Sequence, residues 1–490
     1  MEDGDDQFRA VRLAKLESAV AAGMEAYPAR FARSDEAAAI EARHAGLLAG
    51  AETDDTVRVA GRIRAIRNSG MFIDLHDASG KIQIFGHKDY LPPDGLALLK
   101  LLDIGDVIGV EGRVRRTPRG ELTVNATAVT LLAKALRPLP EKYHGLADIE
   151  LRYRQRYLDL IMNPQSRETL RRRSRIVAAM RSYLLERGYL EVETPMLHTI
   201  PGGASAKPFV THHNALDIDL YLRIAPELHL KRLIVGGLSE KLFEINRCFR
   251  NEGLSPRHNP EFTSLELYEA YVDYTAMMGL TEALVAHAAE RVLGGLQISY
   301  GGTAIDLTPP WPRHGMAELV RGKTGIDFLA IDGASEARRA ATGLEVALTG
   351  GESWGQALEA VFAAKVEDTL LQPVHVTGFP RDISPLAKAD PGDPRLVERF
   401  ETYIYGWEIA NAFSELNDPQ EQRARFAAQM QARAAGDEEA QPLDEDYVTA
   451  LEYGLPPCGG LGIGIDRLVM LLSDSPSIRD VIAFPTLRPR

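Results

Sequence analysis

The sequence predicts an α+β protein: a small all-β barrel followed by a larger domain built on an antiparallel sheet. Three observations predict it. Residues 56–135 hold five short stretches that alternate apolar and polar residues, "VRVAGRIRAIR", "MFIDLHD", "KIQIFGH", "DVIGVEGRVRR" and "ELTVNATAVTLL", with Gly or Asp between them. From about residue 150 onward, helical and alternating patterns mix without the regular strand–helix–strand rhythm of a parallel sheet. No segment repeats another, which removes solenoids and propellers from consideration.

Taken in order, residues 1–55 form a helical extension. They are rich in Ala, Glu and Arg, with Val11, Leu13, Leu16 and Val20 at helical spacing, and "GMEAYPARF" divides them into two helices. Residues 56–135 are the barrel. Five strands interrupted by one helical stretch, "DGLALLKLL", suggest a Greek-key barrel of the OB type. Residues 136–165, beginning inside "KALRPLPEKYHG" (134–145), read as a Pro-containing linker. Residues 166–490 are the large α+β domain, with one exposed loop at "ARAAGDEEAQP" (432–442).

Composition narrows the function. The chain has 490 residues, 45% of them hydrophobic, enough for several cores. No apolar run reaches the ~18 residues of a membrane span, and the acidic start "MEDGDDQF" is neither a secretory signal nor a transit peptide. Cys248 and Cys458 are the only cysteines, which excludes a disulfide scaffold and fits a reducing cytoplasm. Lys and Arg total 56 against 69 Asp and Glu, a formal charge of −13 that argues against passive coating of nucleic acid. Against that background, ten arginines between Leu151 and Arg187 point to a local anionic partner or to a solvated helix face.

The most informative stretch is "RCFRNEGLSPRHNPEF" (247–262), flanked by alternating "KLFEIN" and "TSLELYEAY". Read as an antiparallel hairpin, period-two alternation puts Phe243, Ile245, Leu265 and Leu267 on a core face. The opposite face carries Arg250, Phe262, Glu266 and Tyr268, and the tip adds Arg257 and His258. An Arg and a Glu on one face can be a structural ion pair. Two further cations beside an aromatic ring favour a nucleoside triphosphate, because the guanidinium fork suits phosphate and the ring suits a base. Two glycine motifs point elsewhere and fail. "RGKTG" (321–325) has Ala317 where a P-loop needs glycine, and "GGLGIGID" (459–466) follows "YGLPPC" instead of a clean strand. The second motif is better read as glycines that permit close packing and bring Arg467 to a ligand.

These residues resemble a known family. "FRNEG…RHNPEF" is similar to motif 2 of the class II aminoacyl-tRNA synthetases (~241–271), "GLGIGIDRLVMLL" to motif 3 (~454–472), and "ERGYLEVETPML" to motif 1 (~175–197), the family's dimer interface. Within that family, "ALRPLPEKYHGLADIELRYRQRYLDLI", "IPGGASAKPF", "THHNALDIDLYLRIAPELHLKRLIVGG" and "SELNDPQEQRARF" resemble the bacterial-type lysyl branch, from about residue 10 to residue 490. The resemblance implies an OB-fold anticodon-binding domain and a class II antiparallel-sheet catalytic domain in a cytoplasmic homodimer. The implied reaction activates L-lysine with ATP, releases pyrophosphate and transfers lysine to the 3′ end of tRNA(Lys). Neither membrane nor DNA is an expected partner.

It also implies roles. Arg250 would bridge the amino-acid carboxylate and the α-phosphate, and Arg467 would sit near the γ-phosphate. Arg257 and His258 would hold the triphosphate, and Phe262 would stack on adenine. Glu401 and Glu408 would hold Mg²⁺, more than one ion being expected. Glu415 and Tyr268 would receive lysine's ε-ammonium. Glu227 and Glu266 would take the α-amino group or line the pocket, with Gly203 on a neighbouring loop and Asn411 on the carboxylate side. Glutamates at 227, 266 and 415 would make the pocket negative, where an aspartate pocket needs a cation. In the barrel, Phe72 and Gln83 would stack on and hydrogen-bond the central anticodon base, joined by Arg64 or Arg67.

The chain departs from the family at two places. The first barrel connection, "RIRAIRNSGMF", is shorter than usual, so the choice between Arg64 and Arg67 stays open. "YGWEIAN" carries Trp407 where many relatives have Arg. Glu401 and Glu408 also differ in parity, which a bend or bulge near Gly406 would reconcile. The alternatives are a sister synthetase for aspartate or asparagine, the shorter homologue that lacks the barrel, and a catalytically silent RNA-binding paralogue.

Overall fold

A computed structural model describes residues 2–140, 146, 148–434 and 440–489, and the side chains from residue 6 onward. The chain divides into two compact units, Met1–Ala147 and Asp148–Arg490.

The first unit is a closed barrel of β1 (Glu52–Arg67), β2 (Phe72–His76), β3 (Lys81–Phe85), β4 (Val107–Arg116) and β5 (Leu122–Ala133), in the order β1-β2-β3-β5-β4. Alternation sorts its side chains. Ile73, Leu75, Ile82 and Ile84 point inward and are at most 3% exposed, so each contributes ~1.5–3 kcal/mol of burial. The helix Pro93–Leu101 interrupts the strands as the sequence predicts, and two helices, Glu2–Ala21 and Ala37–Arg43, precede them.

The segment expected as a linker is shorter than 136–165. Helices Ile149–Arg154 and Arg156–Met162 belong to the second unit. The reason is Arg156, which is 1% exposed. Its guanidinium pairs with Asp159 at 2.7 Å and donates to the carbonyls of Ala483 and Arg479 at 2.9 and 2.6 Å, locking the segment to the C-terminus. Residues 141–145 and 147, and residues 435–439 of the expected 432–442 loop, lie outside the described residues.

The second unit opens with β6 (Leu190–Glu191) and a small sheet of β7 (Leu197–His198), β8 (Val210–His213) and β9 (Ile218–Leu222). Then come β10 (Lys241–Phe249) and β11 (Glu261–Ala270), a separate hairpin β12 (Gln297–Tyr300) and β13 (Thr303–Asp306), and β14 (Arg313–Gly315), β15 (Val374–Pro380), β16 (Leu396–Ile404), β17 (Trp407–Ser414) and β18 (Cys458–Gly464). The main sheet has the order β14-β15-β16-β17-β18-β11-β10-β6 and is antiparallel from β15 to β10.

Register decides what this sheet does. One row of directly paired residues runs Phe243, Leu267, Leu461, Ala412 and Phe400. All five are at most 2% exposed and face a core shared with helices Pro164–Leu185, Tyr274–Leu293 and Ile465–Leu472. The next row runs Glu244, Glu266, Gly462, Asn411 and Glu401 on the opposite face. One sheet thus has an apolar face and a face of carboxylates, an amide and glycine.

The ten-arginine stretch is mostly spent on internal pairing. Arg152 and Arg156 pair with Asp159, Arg154 with Glu150, Arg173 with Asp466, Arg175 with Glu168 and Arg181 with Glu191. "RGKTG" closes the helix Met316–Thr324, with Gly325 as its left-handed cap at φ 78°, so it is a helix C-terminus.

Candidate active site

β10 and β11 place the expected hairpin residues by the predicted parity. Cys248 faces Phe262, Asn246 faces Ser264 and Glu244 faces Glu266. The loop between the strands closes through Arg250 N–H to Pro260 O at 2.9 Å and Ser255 N–H to His258 O at 3.2 Å. One cavity over this face is lined by Arg250, Arg257, His258, Phe262 and Arg467. The same cavity is lined by Gly203, Glu227, Glu266, Tyr268, Asn411 and Glu415, and by Glu408.

The cationic end has a defined geometry. Arg250 lies 5.1 Å above the Phe262 ring, and its buried Nε has no hydrogen-bond partner. Arg257 lies 5.3 Å above the ring of Trp407. Arg467, in the first turn of the helix after β18, approaches His258 Nε2 at 3.1 Å and donates to Glu408 O at 2.8 Å. Burial and the Arg467 guanidinium push the His258 pKa down. A neutral ring can accept from Arg467 at Nε2 while its Nδ1–H donates to Ser255 Oγ at 2.8 Å. Asp466 fixes this helix to the hairpin, accepting from Thr263 N–H at 2.7 Å and from Arg173 at 2.5 Å.

The floor of the cavity is β18. Its Gly460 and Gly462 face Tyr268 and Glu266 on one side and Phe413 and Asn411 on the other. A Cβ at Gly460 would lie 1.9 Å from Glu415 Oε1. The bare strand therefore creates the space that the flanking side chains enclose.

Glu401 and Glu408 meet because of a bulge. Tyr403 pairs with Glu408 but Thr402 pairs with Ala410, which leaves Ile409 as an extra residue in β17. Gly406 is not the bulge. With Tyr405 it forms a two-residue turn, φ 57° and 66°, of the kind that suits a twisted hairpin. The Glu401 carboxyl accepts from Arg399 at 2.5 Å and Tyr403 at 2.6 Å. Burial and the neighbouring Glu408 charge push its pKa up to about 7. Two hard carboxylates on one face, one made more basic by the other, suit a divalent cation that takes its remaining oxygens from water or phosphate. Among the described residues, no group of three or more His, Cys, Asp or Glu side chains could hold a metal alone.

The acidic end corrects one expectation. Glu227 and Glu415 do not stand as bare negative charge, because Lys231 forms ion pairs with both. Lys231 is fully buried, and two buried carboxylates need such a counter-ion. The sequence carried a signal for it: Lys231 follows Glu227 by four residues in "ELHLK", a pairing distance on a helix. Arg399, two residues before Glu401 on the same strand face, is a second residue that sequence reasoning missed; its Nε donates to Asn411 Oδ1 at 3.0 Å. Glu266, deeply buried and near Glu227, has its pKa pushed up to about 8 by burial first and by that charge second, against Arg223 and Arg250.

In the barrel, Phe72 and Gln83 lie on the outward face of β2 and β3, since Ile73 and Ile84 take the core. Phe72 is 5.1 Å from Phe85, which carries Arg115 at 4.5 Å above its ring. Gln83 accepts from Thr123 at 3.0 Å. Arg67 is held by Asp74 in a two-point pair at 2.7 and 2.9 Å, whereas Arg64 occupies a register shift in β1 between Ile63 and Ala65.

Comparison with known proteins gives two family matches. Residues 148–488 match the class II tRNA synthetases (D, K and N), and residues 57–132 match the OB-fold nucleic acid binding domain. The chain is 56% identical over 466 residues to the lysine–tRNA ligase of Rhizobium meliloti (strain 1021), covering 95% of this chain and 94% of that one. It is 56% identical over 482 residues to the lysine–tRNA ligase of Carboxydothermus hydrogenoformans, with 98% of each chain covered. Over 490 residues it is 54% identical to the lysine–tRNA ligase of Moorella thermoacetica, covering 100% and 99%.

Proposed function

The chain belongs to the class II tRNA synthetases (D, K and N), and from that premise we infer that it activates L-lysine with ATP and transfers it to tRNA(Lys). The observation that carries the choice of lysine is the arrangement of Glu266 and Tyr268. They are two residues apart on one strand face, ~7 Å along the strand, with Glu415 lining the same cavity. That spacing matches the reach of an extended four-methylene chain between two amino groups.

In this reading Glu266 receives the α-ammonium, Glu227 lines the pocket, and Tyr268 and Glu415 receive the ε-ammonium. Asn411 and Arg250 face the carboxylate. A carboxylate oxygen attacks the α-phosphorus, the bond to pyrophosphate breaks, and lysyl-adenylate forms. The attacking and attacked groups are both anionic, so Arg250 lowers their repulsion and Arg467, Arg257 and His258 spread the charge of the departing phosphates. Phe262 offers its ring to adenine beside the Arg250 guanidinium. The protein supplies alignment and fixed charge and no covalent nucleophile. Glu401 and Glu408 would hold Mg²⁺, which supplies further positive charge at the phosphates. In the second step the terminal ribose hydroxyl attacks the lysyl carbonyl and AMP leaves.

The barrel is proposed as the anticodon reader, with Phe72 as stacking platform, Gln83 as hydrogen-bonding group and Arg64 beside them. A homodimer is proposed through the region after Leu185. Leu190, Met196, Leu197, Ile200, Val210 and Leu216 are all exposed there, an apolar surface that association would bury. The reaction is placed in the cytoplasm, in keeping with two free, buried cysteines. No described helix is long and apolar enough to cross a membrane, and DNA is not among the proposed partners.

The test is amino-acid-dependent ATP–pyrophosphate exchange across all twenty amino acids without tRNA. Exchange with lysine alone is expected. Exchange with aspartate or asparagine would overturn the reading of Glu415 and Tyr268, and no exchange would favour a silent paralogue.

A further inference from the structure

Glu415 is 1% exposed and its two oxygens have different surroundings. Oε2 forms the ion pair with Lys231 and Oε1 faces the floor at Gly460, and beyond that ion pair neither oxygen has a hydrogen-bond partner. Glu415 lines the cavity, but Lys231 is not among the lining residues and lies behind it. The Lys231 ammonium is enclosed by the rings of Phe413 at 5.5 Å, Tyr268 at 5.9 Å and Tyr447 at 5.9 Å. Its only ion-pair partners among the described residues are Glu227 and Glu415.

Two carboxylates and one ammonium leave the inner end of the pocket one negative charge in surplus. Building on the lysine reading above, we propose that Lys231 is a positioning residue that sets the specificity of this pocket: it holds Glu227 and Glu415 ionised and limits the surplus to a single charge, so that one alkylammonium completes the site. Without it, two neighbouring buried carboxyls would hold protons instead, because burial and mutual repulsion both favour the neutral form. Burial already raises Glu415 and Glu227, and Lys231 is the first force opposing it at each. Burial would lower Lys231 itself, but the two carboxylates outweigh that and hold its pKa well above the ordinary value. The other groups facing the cluster do not replace its charge. Tyr268 and Tyr447 remain neutral phenols, and Cys458 behind Glu415 is a neutral thiol pushed up by burial. Glu266, whose carboxyl is raised to about 8 by burial first and the Glu227 charge second, supplies no positive charge in its place. Arg399 acts on Glu227 but is committed to Glu401 and Asn411.

The experiment compares unsubstituted protein, Lys231→Met and Lys231→Arg in lysine-dependent ATP–pyrophosphate exchange. Norleucine, which lacks the ε-ammonium, serves as competitor. The ratio of lysine KM, Lys231→Met over unsubstituted, is expected to be about 100-fold near pH 6.5 and to fall below about 10-fold near pH 9, where the carboxyls ionise unaided. The ATP KM stays unchanged, norleucine competes better in the variant, and Lys231→Arg restores a flat ratio. Lys231→Gln carries the same prediction if the Met variant fails to fold. A ratio independent of pH, or an arginine variant with the same steep profile, overturns the proposal and leaves the lysine reading intact. Absence of lysine exchange in the unsubstituted protein overturns both.

Discussion

Glu401 and Glu408 lie on the same sheet face although one position is odd and the other even, because Ile409 is an extra residue in its strand. Burial first and the Glu408 charge second raise the proton affinity of Glu401, and the two carboxylates make a receptive site for a cation. Glu408→Gln is expected to raise the Mg²⁺ concentration for half-maximal exchange about tenfold or more. Saturating Mg²⁺ should recover the ATP KM. A Mg²⁺ titration of exchange checks this, and an unmoved midpoint would remove Glu408 from the cation site.

Glu415→Gln leaves an arriving ε-ammonium without its charge partner in a dry pocket. A loss on the order of 3 kcal/mol, about 100-fold in lysine KM, is expected. The ATP KM should move far less. Equal effects on both substrates would reject the assignment.

The floor of the cavity predicts a contrast between two neighbouring glycines. Gly460→Ala drives a methyl to 1.9 Å from Glu415 Oε1, whereas the nearest atom to the same methyl at Gly462 is 3.7 Å away. Overpacking costs ~1–3 kcal/mol, so Gly460→Ala should lower Tm and raise the lysine KM. Gly462→Ala should fold with a Tm close to that of the unsubstituted protein. Thermal melts of both variants decide it.

Stability should fall as pH rises through neutrality. The Glu266 carboxyl, raised to about 8, keeps its proton in the folded chain after the unfolded chain has released it. Folding therefore takes up a proton between about pH 4.5 and 8, and that contribution is lost as pH rises through the folded pKa. Urea midpoints should be lower at pH 8 than at pH 5.5. Glu266→Gln, which has no proton to lose, should flatten the difference.

Phe72→Ala removes an outward stacking ring from the barrel without touching its core. Base–aromatic stacking is worth ~1–3 kcal/mol, so the tRNA KM should rise about tenfold or more. Exchange without tRNA should be untouched, and an unaltered aminoacylation KM would remove Phe72 from the anticodon site.

Much of this was legible in the sequence because strand alternation is a local rule. Period-two parity alone sorted Phe243, Leu265 and Leu267 from Arg250, Glu266 and Tyr268, and the structure keeps both sets. What the sequence hid depends on register or on distant partners. Parity showed that Glu401 and Glu408 conflict and that a bend or bulge near Gly406 would reconcile them, but not that the extra residue is Ile409. The arginines of 152–181 left an anionic partner and a solvated helix face open until their carboxylate partners came into view; Asp466, for example, lies 293 residues from Arg173. Lys231 could have been paired with Glu227 by helical spacing, but Glu415, its other partner, is brought in by the fold.

The two rows of the central sheet share the same strands, one residue apart. A slip of one position in β11 would turn Glu266 into the oily interior and expose Leu265 or Leu267 to the ligand. No working site can exist on a misregistered sheet, and no correctly registered sheet can lack the row that forms its site. Recovery of lysine activation after denaturation would therefore report strand alignment in a way that helix content or compactness does not, making substrate turnover a proofreading assay for the fold itself.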